Sequence, residues 1–389
     1  MKNINKSDFG VFLSIILMSI KSIINMSALI VLSDSADFLI NILIIILLFP
    51  KIVSNKYSQS ELFKIIFAGC VLLFVVLRTK EYILMSSFLI ILSIRKMNLL
   101  EIIKIINISK VFTVLIHVIP FAFLYFTNST NLVLTHASNG QERYSFFFQN
   151  QNAFAATIFW IICEVIFLLY FKKKKNPIIV YVFLIFTVLL VYYMTVSRTF
   201  LLNCIILFIL LLGIRFFYNK KNIYYRFAIF AMPLLLFISY VLCHNYSSFS
   251  SFYLNLDNIL SRRLSLSHYA LNYYGITFLP KTINYSLLVY EKNRYVMYMV
   301  IDNIYIRFFI SYGLISFSLL YLSFFSFIKR IKQSCNCLIF YVFIIIYSIY
   351  GFTEIFTVNV CLCFPLLFLG SFILDEEVHN ESINNNACI

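Results

Sequence analysis

Residues 177–214 read PIIVYVFLIFTVLLVYYMTVSRTFLLNCIILFILLLGI, two apolar runs that meet at one short polar turn. Arg198, within that turn, is the only charged residue between Lys175 and Arg215. Each run has the length of a helix that crosses a hydrocarbon core of about 30 Å, which takes roughly 17–25 residues at about 1.5 Å per residue. The stretch therefore predicts two membrane-spanning helices joined by a tight turn.

The rest of the chain repeats this pattern. Hydrophobic residues make up 62% and charged residues 12% of the 389 residues, whereas soluble domains carry roughly 45–50% and about 25%. We therefore expect one integral all-α membrane domain over residues 1–389, with about 12 transmembrane helices. The approximate spans are 9–30, 37–52, 62–77, 82–94, 108–126, 153–171, 177–195, 199–217, 226–243, 303–328, 336–350 and 356–374.

The net charge of +15 is concentrated in short connections between the spans, such as Lys172 to Lys175 and Lys220–Lys221. Basic residues in short loops follow the positive-inside rule of membrane proteins, which we favour here over nucleic-acid binding. The rule predicts a multi-pass protein of the cytoplasmic membrane with both termini inside, including a tail at about 375–389. It places two larger loops, at about 127–151 and 244–301, outside the cytoplasm.

The composition also limits the chemistry. With eight glycines in the whole chain and no glycine-rich phosphate loop, a nucleotide-binding cassette or kinase is excluded. The two C-x-C pairs lie at opposite predicted depths and lack histidine partners, so we expect neither a metal site nor a cofactor. A reaction on this chain must use a substrate that arrives already activated.

Several basic residues map to the predicted outer face, against the positive-inside trend: Arg143, Arg198, Arg262, Arg263, Lys281, Lys292, Arg294 and Arg307. Each one alone could anchor a helix to lipid headgroups. Together they favour a common anion, because the guanidinium fork grips phosphate oxygens in a bidentate way. We hypothesise that a polyprenyl diphosphate headgroup is bound by Arg143, Arg198, Arg263, Arg294 and Arg307.

Few acidic residues are predicted near these arginines. Asp302 and Glu354 are candidates for a catalytic general base, and both could equally be structural partners in salt bridges. Glu164 lies deep in the sixth span, where it either hydrogen-bonds between helices or relays protons. Lys21 is the only obvious counter-ion for Glu164 at membrane depth. The sequence leaves open whether the two residues meet.

Two segments resemble motifs of the O-antigen polymerase and ligase superfamily. Residues 143–155, RYSFFFQNQNAFA, are similar to a family loop in which arginine, glycine and an aromatic residue precede Asn-Pro-Asn and a small residue. Here Phe146 stands at the glycine and Gln151 at the proline. Ser197-Arg198-Thr199 resembles the Ser-Arg-Thr of a helical hairpin in that family.

A third segment, Leu260-Ser261-Arg262-Arg263-Leu264, is similar to a Leu-Ser-Gly-Arg-Leu element of the same superfamily. It is followed by Tyr274-Gly275-Ile276, which resembles the family's Tyr-Gly-Ile. On this register Arg263 takes the family arginine and Arg262 replaces a glycine.

The last elements lie near the C-terminus. Asp302-Asn303-x-Tyr305, followed by Gly313, resembles the start of a late span in Wzy-type capsule polymerases. Glu354 and Asn359 resemble the final outer turn. The order of these elements over residues 143–359 matches the family.

The resemblance implies a metal-independent, all-helical class C glycosyltransferase fold. It implies transfer of a growing glycan from undecaprenyl diphosphate onto a lipid-linked repeat unit, with Asp302 or Glu354 as the base. Asn152, Asn303 and Tyr305 are then expected to bind substrate. A flippase and a chain-length regulator are the expected protein partners.

Two other functions stay open at this point. A ligase that moves finished glycan to another acceptor belongs to the same superfamily. A flippase for lipid-linked oligosaccharides is a different class and would use Lys21 and Glu164 at membrane depth. Secondary carriers usually show two related halves, and the sequence has no internal repeat. Neighbouring genes for glycosyltransferases and a flippase would favour the polymerase.

Overall fold

The structure is a computed structural model of the chain and describes residues 6–127, 134–136, 142–172, 178–216, 221–260, 262–284, 288–290, 296–298, 301–334 and 336–370. Over these residues the chain is almost entirely helical. Strand is confined to two short antiparallel pairs in the same ranges. The prediction of an all-α protein is therefore confirmed.

The helices are α1 Lys6–Ile24, α2 Asp34–Ser54, α3 Gln59–Thr79, α4 Ile83–Ser93, α5 Leu99–Phe126, α6 Gln151–Lys172, α7 Ile178–Thr195, α8 Arg198–Phe216, α9 Lys221–His244, α10 Ser251–Ile259, α11 Arg263–Tyr274, α12 Ile304–Arg307, α13 Leu314–Ile331 and α14 Cys337–Thr353. The strands β1 Leu134–His136 and β2 Glu142–Tyr144 pair with each other, as do β3 Leu288–Tyr290 and β4 Val296–Tyr298. The larger loop predicted at 244–301 therefore contains two helices.

Within the described residues, six helices are long and apolar enough to cross a membrane, namely α2, α3, α5, α6, α9 and α13, and four shorter helices are also apolar. Their outward faces carry large apolar side chains, such as Phe63 (73% exposed) and Phe183 (65% exposed). Such faces need an apolar solvent, which a bilayer supplies. The chain is thus an all-α membrane protein, and the number of 12 transmembrane helices stays a prediction.

The core is built around α14. Nearly every residue of this helix from Cys337 to Tyr350 is buried, and it packs against α8 and α9. A helix that is hydrophobic on all sides belongs in the interior of a bundle. Phe159 and Tyr350 stack with parallel rings 5.2 Å apart, which ties α6 to the same core.

The predicted span 303–328 is not one continuous helix. After α12 the chain forms a π-helical turn, Phe308–Tyr312, and then breaks at Gly313, where φ is 81°. Only then does α13 begin. A positive φ is open to glycine without steric cost, so Gly313 permits the break.

The backbone groups freed by this break bond to the segment that follows α11. The N–H of Thr277 donates to the carbonyl of Phe309 at 2.7 Å, and the N–H of Leu314 donates to the carbonyl of Thr277 at 3.0 Å. A Cβ atom at Gly313 would lie 2.5 Å from the carbonyl oxygen of Phe278. The segment after α11 therefore satisfies the backbone groups at the break, and the glycine at the break leaves room for this segment.

The predicted last span, 356–374, is also wrong over its described part. This stretch holds two 3₁₀ turns, Ile355–Val358 and Phe364–Leu369, separated by irregular backbone. The side chain of Asn359 occupies the irregular part, where it donates to Ser22 Oγ at 2.7 Å. Glu354 thus lies between the end of α14 and the first 3₁₀ turn.

Candidate functional site

Polar side chains from distant helix ends meet at one end of the bundle. Ser197 Oγ donates to Asn152 Oδ1 at 3.1 Å and lies 3.4 Å from Thr199 Oγ1. Thr199 Oγ1 donates in turn to Glu354 Oε1 at 3.4 Å. One polar row therefore joins the start of α6, the α7–α8 turn and the end of α14.

Arg263 continues this row. Its Nε lies 2.9 Å from Asp302 Oδ2, and its Nη2 lies 2.9 Å from Glu354 Oε1. Its Nη1 donates to the carbonyl of Thr353. Both candidate bases thus pair with the guanidinium of Arg263, which was predicted to bind phosphate. The Arg263 side chain is mostly buried.

The side chain of Asp257 stabilises the start of α11, where Arg263 is the first residue. Asp257 Oδ1 accepts hydrogen bonds from the backbone N–H groups of Leu264 and Ser265 at 2.9 and 3.0 Å, which caps the helix. Our sequence analysis missed Asp257. An aspartate shortly before a helical segment was the signal that could have revealed it.

Glu354 has the properties of a general base. Its side chain is buried, with 4% of the residue exposed. Burial raises the pKa of Glu354, the Arg263 guanidinium opposes this rise, and the like charge of Asp302 adds to it, so that the pKa is about 7. No donor among the described residues bonds to Oε2, which leaves that oxygen for a substrate hydroxyl.

Arg143 and Arg198 lie beside the row. Arg143 Nε donates to the carbonyl of Thr195 at 3.0 Å. With the amide of Gln151 turned to present its oxygen, Arg143 Nη1 and Nη2 donate to it at 3.0 and 3.1 Å. Burial lowers the pKa of Arg143, and the nearby positive charge of Arg198 lowers it further. Two adjacent guanidinium groups, with Arg198 exposed, suit a multiply charged anion.

Asn303 and Tyr305 were also predicted to bind substrate, and Asn303 lines a small pocket together with Arg263 and Thr353. Asn303 Oδ1 caps α12 by accepting from the N–H groups of Tyr305 and Ile306, and its Nδ2 donates to Ser239 Oγ at 3.0 Å. The Tyr305 hydroxyl donates to the carbonyl of Ser348 at 2.8 Å, and the residue is 1% exposed. The structure thus uses Asn303 and Tyr305 inside the bundle.

Arg294 and Arg307 were also predicted to bind the diphosphate. Arg294 lies outside the described residues. Arg307 forms an ion pair with Glu81, with Nη1 2.6 Å from Oε1, and both residues contact the hydroxyl of Tyr312. Glu81 was not predicted as a site residue, although its place between the third and fourth predicted spans marks it as an outer acid.

The buried acid Glu164 has a different partner from the one that we noted. It pairs with Lys110, and both side chains are fully buried. Lys110 Nζ also donates to the carbonyl of Leu362 at 2.8 Å, in the irregular segment between the two 3₁₀ turns. Lys21 does not meet Glu164, because it pairs with Asp37 at 2.9 Å.

The backbone conformation bears on the resemblance described above. At Phe146 and at Arg262, where the family pattern has glycine, φ is 52° and 64°. Residues other than glycine rarely adopt a positive φ. Phe147, next to Phe146, also has a positive φ of 60°, and the family resemblance stays a prediction.

Comparison with known proteins adds no relative. No family model, no curated protein and no solved structure matches this chain. The proposed function therefore depends on the residues of the site.

Proposed function

We propose that this chain is a glycosyltransferase that polymerises a polysaccharide on the outer face of a cytoplasmic membrane. It transfers a growing glycan from undecaprenyl diphosphate onto a lipid-linked repeat unit. The observation that carries this proposal is Glu354, a buried carboxyl with a pKa of about 7 and one oxygen without a donor among the described residues. Arg263 holds it at 2.9 Å.

The direction of the helices supports the outer location. The helices α6 and α9 have their other ends at Lys172 and Lys221, next to the basic connections of the sequence. Under the positive-inside rule these ends face the cytoplasm, so the polar row faces outward. This orientation belongs to a topology of about 12 crossings with both termini inside.

The reaction is a displacement at the anomeric carbon of the donor sugar. An acceptor hydroxyl attacks that carbon and forms the new glycosidic C–O bond, while the bond from the carbon to the diphosphate oxygen breaks. Glu354 Oε2 takes the proton of the hydroxyl, and undecaprenyl diphosphate leaves with the bonding electron pair. The ester to diphosphate is the activated bond, so no nucleotide is consumed.

The arginines have two different roles in this reaction. Arg143 and Arg198 bind the leaving diphosphate and stabilise the charge that develops on it. Arg263 acts on the base, because its guanidinium is already shared between two carboxylates. Asp302 holds Arg263 in place and keeps the pKa of Glu354 high.

The proposal is tested in a host strain that lacks this gene and carries variant copies of it. We expect Glu354→Gln to reach the membrane, to make no polymer and to accumulate single lipid-linked repeat units on the outer leaflet. Arg262→Gly is the matched control and should make normal polymer, because glycine accepts the φ of 64° at that position.

Other results would contradict the role of Glu354 or identify a different function. Normal polymer from Glu354→Gln contradicts a base at this position. Repeat units that stay on the cytoplasmic leaflet identify a flippase. Accumulated long polymer that is still attached to lipid identifies a ligase.

A further inference from the structure

An apolar crevice opens between α3, α4 and α13. Its volume is about 120 Å³. A cavity of about 150 Å³ lined by aliphatic and aromatic residues binds one benzene molecule and stays dry. This crevice therefore accepts a hydrocarbon segment of a few carbon atoms. Its walls include Ala68, Leu72, Val75, Phe88, Leu319 and Leu320.

The few polar groups in its wall are already hydrogen-bonded to the protein. Ser87 Oγ donates to the carbonyl of Val358 and accepts from the N–H of Val360, both at 3.2 Å. Ser316 Oγ donates to the carbonyl of Tyr312, in the π-helical turn before Gly313, at 2.8 Å, and Ser323 Oγ donates to the carbonyl of Leu319 on α13 at 2.7 Å. The wall thus offers an occupant only apolar surface, which excludes sugars and favours a lipid chain.

The length of the crevice matches one leaflet of the bilayer. The wall residues of α3 run from Ala68 to Val75, a rise of about 10 Å along the helix. Half of a hydrocarbon core of about 30 Å is about 15 Å. A chain that enters from one membrane surface therefore fills the crevice without crossing the bilayer.

A series of polar contacts links the crevice wall to the proposed active site. Tyr312 contributes to the wall, and its hydroxyl bonds to Glu81, which pairs with Arg307. Arg307 Nε donates to the carbonyl of Ile301 at 3.1 Å, and the next residue is Asp302, the partner of Arg263. Tyr312 thus connects the crevice wall, through Glu81 and Arg307, to the residue before Asp302.

We propose that this crevice seats the isoprenoid chain of the lipid-linked acceptor, an inference that rests on the proposed function. The donor diphosphate is the leaving group and must lie at the reacting carbon, beside Arg143 and Arg198. The acceptor's own diphosphate is separated from its reacting hydroxyl by the sugars of the repeat unit. Its lipid can therefore be held at Arg307, on the opposite side of Glu354, with the chain running down the crevice.

Binding is tested by photo-crosslinking to the full-length protein in nanodiscs. The probe is a polyprenyl diphosphate with a diazirine in its chain, compared with a phosphatidylglycerol that carries the diazirine in one acyl chain. We expect the prenyl probe to label residues 68–75 and 316–323 in preference to the outward faces of the same helices. Equal labelling of both regions, or equal labelling by both probes, shows a crevice filled by bulk lipid and overturns the proposal.

Catalysis provides the second test. Leu72→Trp fills the crevice, and Leu73→Trp is the matched control, because Leu73 is the next residue of α3 and is 48% exposed. For an acceptor with a long prenyl chain we expect Leu72→Trp to raise KM at least about tenfold, equivalent to ~1.4 kcal/mol of binding free energy. For an acceptor shortened to one isoprene unit, KM should not change.

The outcomes separate this inference from the proposed function. A KM that rises equally for both acceptors, or equally in Leu73→Trp, refutes the seat while polymerisation stands. Selective labelling by the prenyl probe in a wild-type protein that makes no polymer refutes the proposed function, and with it the role of acceptor seat.

Discussion

The carboxylate of Asp302 raises the pKa of Glu354, so its removal should shift the pH dependence of the reaction in a defined direction. Burial is the largest cause of the raised pKa, Arg263 lowers it, and Asp302 raises it, with about 7 as the result. A general base works only when it is deprotonated, so wild-type kcat/KM should fall as the pH drops through about 7. In Asp302→Asn the like charge is absent, and this loss should occur at lower pH.

Coulomb's law sets the size of the shift. Asp302 and Glu354 each lie 2.9 Å from a nitrogen of the same guanidinium. Two carboxylates bound to one guanidinium are on the order of 6 Å apart, where unit charges repel by ~0.7 kcal/mol in water and ~3 kcal/mol at an effective dielectric constant of about 20. Because a pKa difference of one corresponds to about 1.4 kcal/mol, the pKa of Glu354 should fall by about 0.5 to 2.

The assay is kcat/KM of the purified enzyme on lipid-linked repeat units between about pH 5 and about pH 9. The midpoint of the acid limb should move from about 7 in the wild type to between about 5 and about 6.5 in Asp302→Asn. Asp34→Asn, which removes an exposed acid in the first turn of α2, should keep the wild-type midpoint. An unchanged or higher midpoint in Asp302→Asn refutes the electrostatic reasoning, and loss of activity at every pH identifies Asp302 as the base.

Three further predictions concern the fold and the anion site. Lys110→Met and Glu164→Leu should each lower the free energy of unfolding by about 3–5 kcal/mol, because each leaves a buried charge unpaired. The double variant should lose far less, measured by denaturation of the purified protein in detergent; additive losses would contradict a coupled pair. Gly313→Ala should cost more than about 1–3 kcal/mol in the same assay, because its Cβ meets a carbonyl at 2.5 Å. Gly69→Ala, whose nearest neighbour is a side-chain atom at 3.6 Å, is the control and should be neutral or slightly stabilising. Arg198→Lys should lower polymer yield by about tenfold or more at equal membrane abundance, because lysine keeps the charge without the fork; unchanged yield would make Arg198 a headgroup anchor.

The sequence predicts the helices well wherever hydropathy alone decides. The turn at Arg198 separates α7 from α8 as expected, because a charge between two apolar runs marks a helix end. The break at Gly313 escaped prediction because apolar residues continue across it. Hydropathy does not report the long-range backbone hydrogen bonds, such as that from Leu314 to Thr277, which make a break possible.

The candidate site could also be predicted only in part from the sequence. The sequence identifies Arg263, Asp302 and Glu354 as residues of one face, but it assigns Arg263 to the substrate. Only the folded chain brings Arg263 to Glu354, 91 residues away. Lys110 was missed because the fifth span was predicted to begin at residue 108, whereas α5 begins at Leu99 and carries Lys110 to mid-helix.

The most direct test of the central claim is the reaction with purified components. Wild-type protein in liposomes receives isolated lipid-linked repeat units, without nucleotide, and polymer and free polyprenyl diphosphate are both measured. We expect one polyprenyl diphosphate to be released for each glycosidic bond formed, and neither product to form with Glu354→Gln. Absence of polymer with the wild type, or equal polymer with Glu354→Gln, would contradict a polymerase that uses Glu354 as its base.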